Sequence, residues 1–170
     1  MYWVNAVVTM MLLGAPAEDP RGEVQLSTTA GADVRLSELL RGRPSLIVFE
    51  DRESIAVNQH LKDALAGLRK SELLARISVV SIANVAAYDY FPARNLATRA
   101  IKDTEKATGV PVHLDWKGAM TRPPWAFASQ GSTVVVVDRG GALKFSRCGK
   151  LEPREVDDVL ALLASLSEKK

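Results

Sequence analysis

The stretch that decides the fold is Pro44-Ser-Leu-Ile-Val-Phe-Glu-Asp-Arg-Glu-Ser-Ile-Ala-Val-Asn58, together with its continuation to Leu68. Residues 45–49 contain Leu, Ile, Val and Phe without polar alternation. A short apolar run behind a proline predicts a strand that is covered on both faces. Residues 50–53, Glu-Asp-Arg-Glu, then break the apolar pattern and predict a polar turn.

An amphipathic helix is predicted to follow this turn. Ser54 is its predicted N-cap, because a seryl hydroxyl can accept a hydrogen bond from a free amide of the first turn. Apolar residues then recur at helical spacing, namely Val57, Leu61, Ala64, Leu65 and Leu68. The stretch therefore predicts a strand, a turn and a helix in direct succession.

The rest of the chain can be arranged around this unit. Residues 23–27 and 33–36 flank a turn and predict a β-hairpin. The remaining predicted strands are residues 76–85, 110–114, 133–137 and 142–147, and the remaining long helices are residues 93–108 and 152–166, with residues 71–75 as a connector. Leu96, Ala100, Ile101 and Thr104 are predicted to share one face of the first of these helices. This order predicts an α/β fold with a mixed central sheet flanked by helices.

Composition excludes several classes of function. The chain has 170 residues, 47% of them hydrophobic and 25% charged, which suits one globular domain with a proper core. Its net charge of +2, from 22 basic and 20 acidic residues, is too balanced to indicate a nucleic acid or an anionic membrane as the partner. The two histidines, His60 and His113, lack metal-ligand spacing, so we expect no metal and no cofactor.

The first 17 residues predict a signal peptide. They carry no charged side chain, and an apolar run from Val4 to Gly14 precedes Ala15-Pro-Ala17. Small residues at positions 15 and 17 fit a cleavage site, so the mature domain is predicted to be residues 18–170. The alternative is a buried strand or helix of the domain. The run is shorter than the ~20 residues of a membrane-spanning helix, so the mature chain is expected to be periplasmic, or otherwise exported from a bacterium, without an integral membrane segment.

Several motifs resemble known proteins. Four segments resemble, in order and spacing, parts of the thioredoxin-like superfamily in its peroxiredoxin and TlpA-type form. They are the opening motif (residues 31–42), the central strand (44–49), a late strand (131–138) and the closing hairpin (138–149). Within that superfamily, residues 110–118, 125–133 and 149–156 look most like the YtfJ-type branch of exported bacterial proteins. The resemblance implies a single thioredoxin-like domain over residues 18–170, with an N-terminal β-hairpin.

The residues that carry the superfamily's chemistry are absent. Its oxidoreductases need a thiolate at a helix N-terminus, where the dipole and free amides lower the thiol pKa. The resemblance places Ser54 and Val57 at the two cysteine positions and Ser132 at the cis-proline position. A cis peptide before a residue other than proline costs ~3 kcal/mol, so a trans bond is expected before Ser132. These replacements predict a redox-inactive domain and weigh against an enzyme.

The candidate ligand or partner surface lies at the former active-site position. Asp51, Arg52, Glu53 and Ser54 follow the carboxyl end of a central strand, where open α/β sheets bind ligands, and the Ser132 loop is expected beside them. The alternative interpretation is a solvated loop with an N-cap. A catalytic Ser54 would need a base, and the nearest histidine lies almost two turns along the helix.

Aromatic residues raise a further choice. Trp116, Trp125 and the group Tyr88, Tyr90 and Phe91 could line a peptide-binding surface near the turn. We expect them instead to anchor the core and the loops.

Three functions remain at this stage. The first is a redox-inactive thioredoxin-like binding or accessory protein of the periplasm, with an unknown protein or peptide partner in the cell envelope. The second is a thiol-dependent oxidoreductase or peroxidase that uses Cys148, the single cysteine and the candidate reactive thiol, with a partner thiol. The third is an assembly protein of an envelope complex, which would co-purify with partners without binding small molecules.

Overall fold

A computed structural model describes residues 23–168. Its strands are Gln25–Ser27 (β1), Asp33–Arg35 (β2), Ser45–Glu50 (β3), Ser78–Asn84 (β4), Val112–Asp115 (β5), Thr133–Val137 (β6) and Leu143–Cys148 (β7). Its helices are Leu36–Leu40 (α1), Gln59–Gly67 (α2), Glu72–Arg76 (α3), Ala93–Thr108 (α4) and Pro153–Glu168 (α5), and Ala86–Tyr88 and Ala119–Thr121 form short 3₁₀ turns. The predicted signal peptide lies outside the described residues.

The strands form one mixed sheet in the order β2-β1-β5-β4-β3-β6-β7. The three central strands β3, β4 and β5 are parallel, and β6 and β7 continue the sheet antiparallel from β3. On the other side, the β1–β2 hairpin joins β5 antiparallel. The predicted α/β class, with a mixed sheet, flanking helices and an N-terminal hairpin, is confirmed.

Strand β3 lies at the centre of two cores. All six of its residues are buried, because β4 and β6 cover its edges and apolar side chains cover both faces. Ile47 and Phe49 contribute to one cluster, with Met120 and Phe127. Alternate residues such as Leu46 contribute to the opposite cluster, which contains the buried residues of α2 and α5. Burial on both faces explains why this segment is an unbroken apolar run.

The helix after β3 begins later than predicted. Residues 52–58 form turns, and α2 starts at Gln59 with Asn58 at its N-cap position. Ser54 is therefore not the helix cap, and that prediction is wrong. The predicted apolar face is nevertheless correct, since Leu61 and Leu65 are buried and Ala64 packs beside them.

Two other predictions need correction. The expected connector at residues 71–75 is largely helix α3, whose Glu72 and Arg76 form an (i, i+4) ion pair of 2.8 Å. On α4, Ala97 and Ile101 pack against the cluster of Val85, Leu114 and Trp116, whereas Leu96 points outward and is 63% exposed. The inward face is therefore rotated from the predicted one.

The described residues contain two cis peptide bonds, Phe91–Pro92 and Pro123–Pro124. The bond before Ser132 is trans, as expected from its sequence. Within residues 23–168, no helix is both long enough and apolar enough to span a membrane.

Candidate functional site

The turn after β3 is organised by the carboxylate of Asp51. Its Oδ1 accepts hydrogen bonds from the backbone amides of Ser54 (2.8 Å) and Glu53 (3.1 Å), and its Oδ2 accepts one from the amide of Gly131 (3.1 Å). Partial burial raises the pKa of Asp51, but these hydrogen bonds outweigh burial and hold the pKa below its ordinary value. Asp51 therefore joins the turn to the loop that precedes β6.

The hydroxyl of Ser54 is bound within the same turn. Its Oγ accepts from the Asp51 amide (3.0 Å) and lies 3.3 Å from the Asp51 carbonyl, and the residue is only 3% exposed. The ring of His60 is engaged elsewhere, with Nε2 at 2.8 Å from the carbonyl oxygen of Leu151. Neither residue is arranged as a nucleophile with its base.

Beneath the turn lies a set of four hydrogen-bonded side chains, which we call the buried polar network: Glu50, Asn58, Lys62 and Ser132. The Lys62 ammonium binds Glu50 Oε2 at 2.6 Å, and the Ser132 hydroxyl donates to Glu50 Oε1 at 3.2 Å. Asn58 Nδ2 donates to Ser132 Oγ at 2.8 Å. Glu50, Asn58 and Ser132 are buried, and only Lys62 reaches solvent, with 29% of its side chain exposed.

Asn58 extends this network to the end of the chain. Its Nδ2 also donates to the Gly149 carbonyl (3.0 Å), and its Oδ1 accepts from the Leu151 amide (2.8 Å). One amide side chain therefore joins the start of α2, the loop before β6 and the segment between β7 and α5. The bonds to Ser132 and Leu151 are buried, so these two groups depend on Asn58 as their protein partner, whereas the bond to Gly149 is part-buried.

Glu50 is one of two buried carboxylates among residues 23–168, the other being Asp115. Desolvation raises the pKa of Glu50 above its ordinary value, against the hydrogen bond and charge of Lys62 and the hydroxyl of Ser132. The neighbouring Asp51 carboxylate acts in the same direction as burial. Lys62 therefore offsets the negative charge of ionised Glu50, but it does not replace the hydration that an exposed carboxylate would have.

The predicted surface residues are brought together but differ in accessibility. Arg52 and Glu53 are exposed, Asp51 is half-buried, and Ser54 and Ser132 are buried. Ile55, in the same turn, is 50% exposed. A partner could therefore contact Arg52, Glu53 and Ile55 directly, with the other three residues supporting the turn from below.

Sequence reasoning missed Glu50, Asn58 and Lys62. A signal for Glu50 existed, because it is an acidic residue at the end of an otherwise apolar buried strand. No comparable signal marked Asn58 or Lys62, which resemble ordinary polar residues at the start of a surface helix.

Cys148 lies closer to this site than its position in the chain suggests. It is exposed on the edge strand β7 and pairs across the sheet with Thr133, the residue after Ser132. The adjacent Gly149 donates its amide to the Ser132 carbonyl at 2.7 Å. Strand pairing therefore places Cys148 next to the Ser132 loop.

The aromatic residues divide into two groups. Trp116 and Trp125 are 6% and 9% exposed and belong to the core, as predicted. Tyr90 and Phe91, in contrast, are 61% and 84% exposed, so the prediction that they anchor the loop is wrong.

Other polar features lie apart from the site. A shallow groove of about 210 Å³ lies at the amino ends of β3 and β4, and its lining includes Arg41, Arg43 and His113. Burial lowers the pKa of His113, whose Nδ1 is 3.3 Å from the Ser81 carbonyl oxygen. Residues 23–168 contain no group of three or more metal-ligating side chains.

Comparison with known proteins agrees with this architecture. The chain is similar to a thiol:disulfide interchange protein DsbE from Chlorobium tepidum, with a TM-score of 0.63, 17% identity and coverage of 86% of this chain and 94% of that one. A DsbF homologue from Corynebacterium diphtheriae gives a TM-score of 0.62 at 15% identity, covering 85% of each chain. The pneumococcal exposed lipoprotein thioredoxin Etrx1 from Streptococcus pneumoniae gives 0.55 at 18% identity, covering 84% of this chain and 98% of that one.

Sequence comparison adds one family. No curated protein matches the chain. Residues 92–166, which include α4 and most of α5, match the family described as a bacterial protein of unknown function, YtfJ_HI0045. The chain is therefore a protein of the thioredoxin-like fold whose C-terminal part, residues 92–166, resembles the YtfJ-type branch.

Proposed function

We propose that the protein is a redox-inactive thioredoxin-like binding or accessory module of the bacterial cell envelope. The observation that supports this proposal is the set of residues in and beneath the turn after β3. Ser54 and Val57 stand at the positions of the cysteine pair, and the buried polar network fills the space below them. A hydroxyl cannot exchange disulfides, so what the turn offers is a contact surface.

The contact surface is formed by Arg52 and Glu53, supported by Asp51, Ser54 and Ser132. Three backbone amides bind the Asp51 carboxylate, which holds the turn in one conformation before any partner arrives. A preorganised turn loses little conformational entropy on binding a protein or peptide. The double substitution Arg52→Ala/Glu53→Ala should therefore reduce the capture of a periplasmic partner by the domain. Gln59→Ala, at an exposed position at the start of α2, should leave this capture unchanged.

Export is supported by the apolar segment at residues 4–14 and by the similar proteins, one of which is described as an exposed lipoprotein and another as secreted. Expression of the full chain in a bacterium should deliver it to the periplasm, with cleavage after Ala17. Amino-terminal sequencing of the periplasmic product would then begin at Glu18. A cytoplasmic product that retains Met1 would contradict export.

The test of redox inactivity is an assay of disulfide reduction and peroxide turnover on residues 18–170, beside the Cys148→Ala variant. Neither protein should show turnover above the uncatalysed rate. Activity in the wild-type domain that disappears in Cys148→Ala would refute redox inactivity and establish the second candidate.

The second candidate is a thiol-dependent oxidoreductase or peroxidase that uses Cys148. It is favoured by the exposure of the thiol and by its pairing with Thr133, beside the Ser132 loop. In disulfide exchange, the Cys148 thiolate would attack a partner's disulfide, one partner thiolate would leave, and a second thiol would resolve the mixed disulfide. This route needs a partner thiol, because residue 148 is the single cysteine of the chain.

A further inference from the structure

Three large apolar side chains are displayed where β4 leads into α4. Tyr90 is 61% exposed, Phe91 84% and Leu96 63%, and we call these residues the apolar patch. Phe91 and Leu96 flank the first turn of α4, in which the amides of Asn95 and Leu96 donate to the Pro92 carbonyl. Exposed aromatic residues close together are more typical of a protein interface than of an ordinary surface.

The segment that carries the patch is held in place by charged residues. Asp89 binds the guanidinium of Arg94 and, at 2.7 Å, the ammonium of Lys117. Arg94 also lies over the ring of Trp116, 4.5 Å from its centroid. Tyr90 and Phe91 are therefore presented by a braced loop, which reduces the entropy that a partner must overcome.

These contacts leave the patch with an excess of positive charge. Arg94, Lys117 and Arg122 form a cationic rim, and Asp89 is the carboxylate that faces it. Arg122 donates to the Lys117 carbonyl at 2.7 Å, and no carboxylate within residues 23–168 forms an ion pair with it. Side chains of the rim remain open to solvent, with 48% of Arg94 and 75% of Lys117 exposed.

The start of α4 adds to this charge. Its first turn has no acidic residue and no side chain caps it, so no residue of that turn offsets the positive end of the helix dipole. Arg99 follows Leu96 by one helical turn and extends the positive surface. A complementary partner would carry carboxylates around an apolar side chain.

The excess charge is too small for a membrane surface to be the favoured partner. The three rim cations and the Asp89 carboxylate leave a net charge of two, and each net positive charge would contribute only about 1 kcal/mol to binding of an anionic membrane. A peptide can instead place its carboxylates against individual cations and its apolar side chain against Phe91. We propose that the apolar patch and the cationic rim bind an extended acidic segment of a partner protein, with a large apolar residue of that segment seated on Phe91.

This inference rests on the proposed binding role and assigns it a second surface with a defined chemistry. Its test is selection of phage-displayed random dodecapeptides against residues 18–170. Enriched peptides should carry Asp or Glu on both sides of an aromatic or large aliphatic residue. Tyr90→Ser/Phe91→Ser should weaken their binding by about ten-fold or more, as for other interface anchors. Arg122→Glu and added salt should also weaken binding.

The matched control is Arg52→Ala/Glu53→Ala, which should retain the selected peptides. Absence of enrichment, a basic or neutral consensus, or full binding by Tyr90→Ser/Phe91→Ser would overturn the inference. Loss of binding only in the Arg52/Glu53 variant would overturn it while supporting the first contact surface. Sedimentation with phosphatidylglycerol vesicles that depends on Phe91, without peptide enrichment, would assign the patch to a membrane instead and would also overturn it.

Discussion

At the scale of single residues, Ser132 has a structural role in the buried polar network. Ser132, which the sequence resemblance predicts at the cis-proline position of the superfamily, donates its hydroxyl to Glu50 and accepts from Asn58. A proline there could make neither hydrogen bond. Ser132, Glu50 and Asn58 therefore form one buried hydrogen-bonded unit.

Asn58→Ala should be among the more damaging polar substitutions in this domain. It would leave the buried Leu151 amide without its partner, at a cost of about 1–3 kcal/mol, and would also remove the part-buried bond to the Gly149 carbonyl and the buried bond to Ser132. We expect urea unfolding to show a loss of about 2–4 kcal/mol in the free energy of unfolding. The control is Gln59→Ala, which removes an exposed bond to Asp63 and should change stability by no more than about 0.5 kcal/mol. Equal effects of the two substitutions would contradict a structural role for Asn58.

The raised pKa of Glu50 predicts a pH dependence of stability with a defined sign. Because the folded state holds this proton more tightly than the unfolded state, the contribution of Glu50 is greatest below about pH 4.3 and is lost as pH rises through the folded-state pKa. A glutamine side chain at this position would not titrate. Above about pH 4.3, the free energy of unfolding of Glu50→Gln should therefore rise with pH relative to that of the wild type. Urea titrations at several pH values would measure this difference.

Asp51 supplies a control of opposite sign. Its pKa is lowered, so its contribution is present above about pH 3.9 and is lost as pH falls through the folded-state value. Asp51→Asn should accordingly become more destabilising as pH rises from the folded-state pKa to the unfolded-state value of about 3.9, and its effect should level off above about pH 3.9. If the difference in the free energy of unfolding between Glu50→Gln and the wild type stays constant with pH, the raised pKa of Glu50 is refuted.

At the scale of secondary-structure elements, the position of the start of α2 matters for chemistry. In a thiol oxidoreductase the attacking sulfur gains acidity from the free amides and the dipole of a helix N-terminus. Here residues 52–58 form turns, and the helix begins only at Gln59. Residue 54 therefore lies outside the helix, although the sequence resemblance predicts it at the position of the first cysteine.

Restoring the cysteine pair should consequently fail to restore activity. In a Cys148→Ala background, Ser54→Cys/Val57→Cys would place one thiol at a site that is 3% exposed and distant from the helix dipole. We expect no low-pKa thiol when thiolate absorbance is followed against pH, and no insulin reduction above the cysteine-free parent. Turnover by this double variant would show that α2 can begin earlier than Gln59.

At the scale of the whole molecule, one sheet supports cores on both faces, so the domain should unfold as a unit. Met120→Ala on one face and Leu163→Ala on the other each remove a fully buried side chain, and each should cost about 2–5 kcal/mol. Circular dichroism and tryptophan fluorescence should report the same transition in both variants. Leu96→Ala, on the exposed side of α4, should change stability by at most about 0.5 kcal/mol. Separate transitions for the two faces would contradict a single cooperative unit.

The chain by itself determined the order of the strands and of the long helices, the buried strands and the absence of the cysteine pair. These follow from local patterns, since an unbroken apolar run or a helical repeat specifies which faces must be buried. The same patterns could not place the start of α2, because Ser54 and Asn58 are both acceptable caps and the choice depends on what each side chain meets in the fold. Nor could they show that Leu96 of α4 faces solvent, since the helix offers two partly apolar faces.

Only the tertiary structure decided the composition of the site. The hydrogen bonds of Asn58 reach across 74 positions to Ser132, 91 to Gly149 and 93 to Leu151, and Ser132 reaches across 82 to Glu50. No local periodicity encodes such pairs, because they depend on the register in which β3, β6 and β7 align. Burial then makes the pairing obligatory, since a carboxylate or amide shielded from water is stable only beside a partner that the rest of the fold supplies.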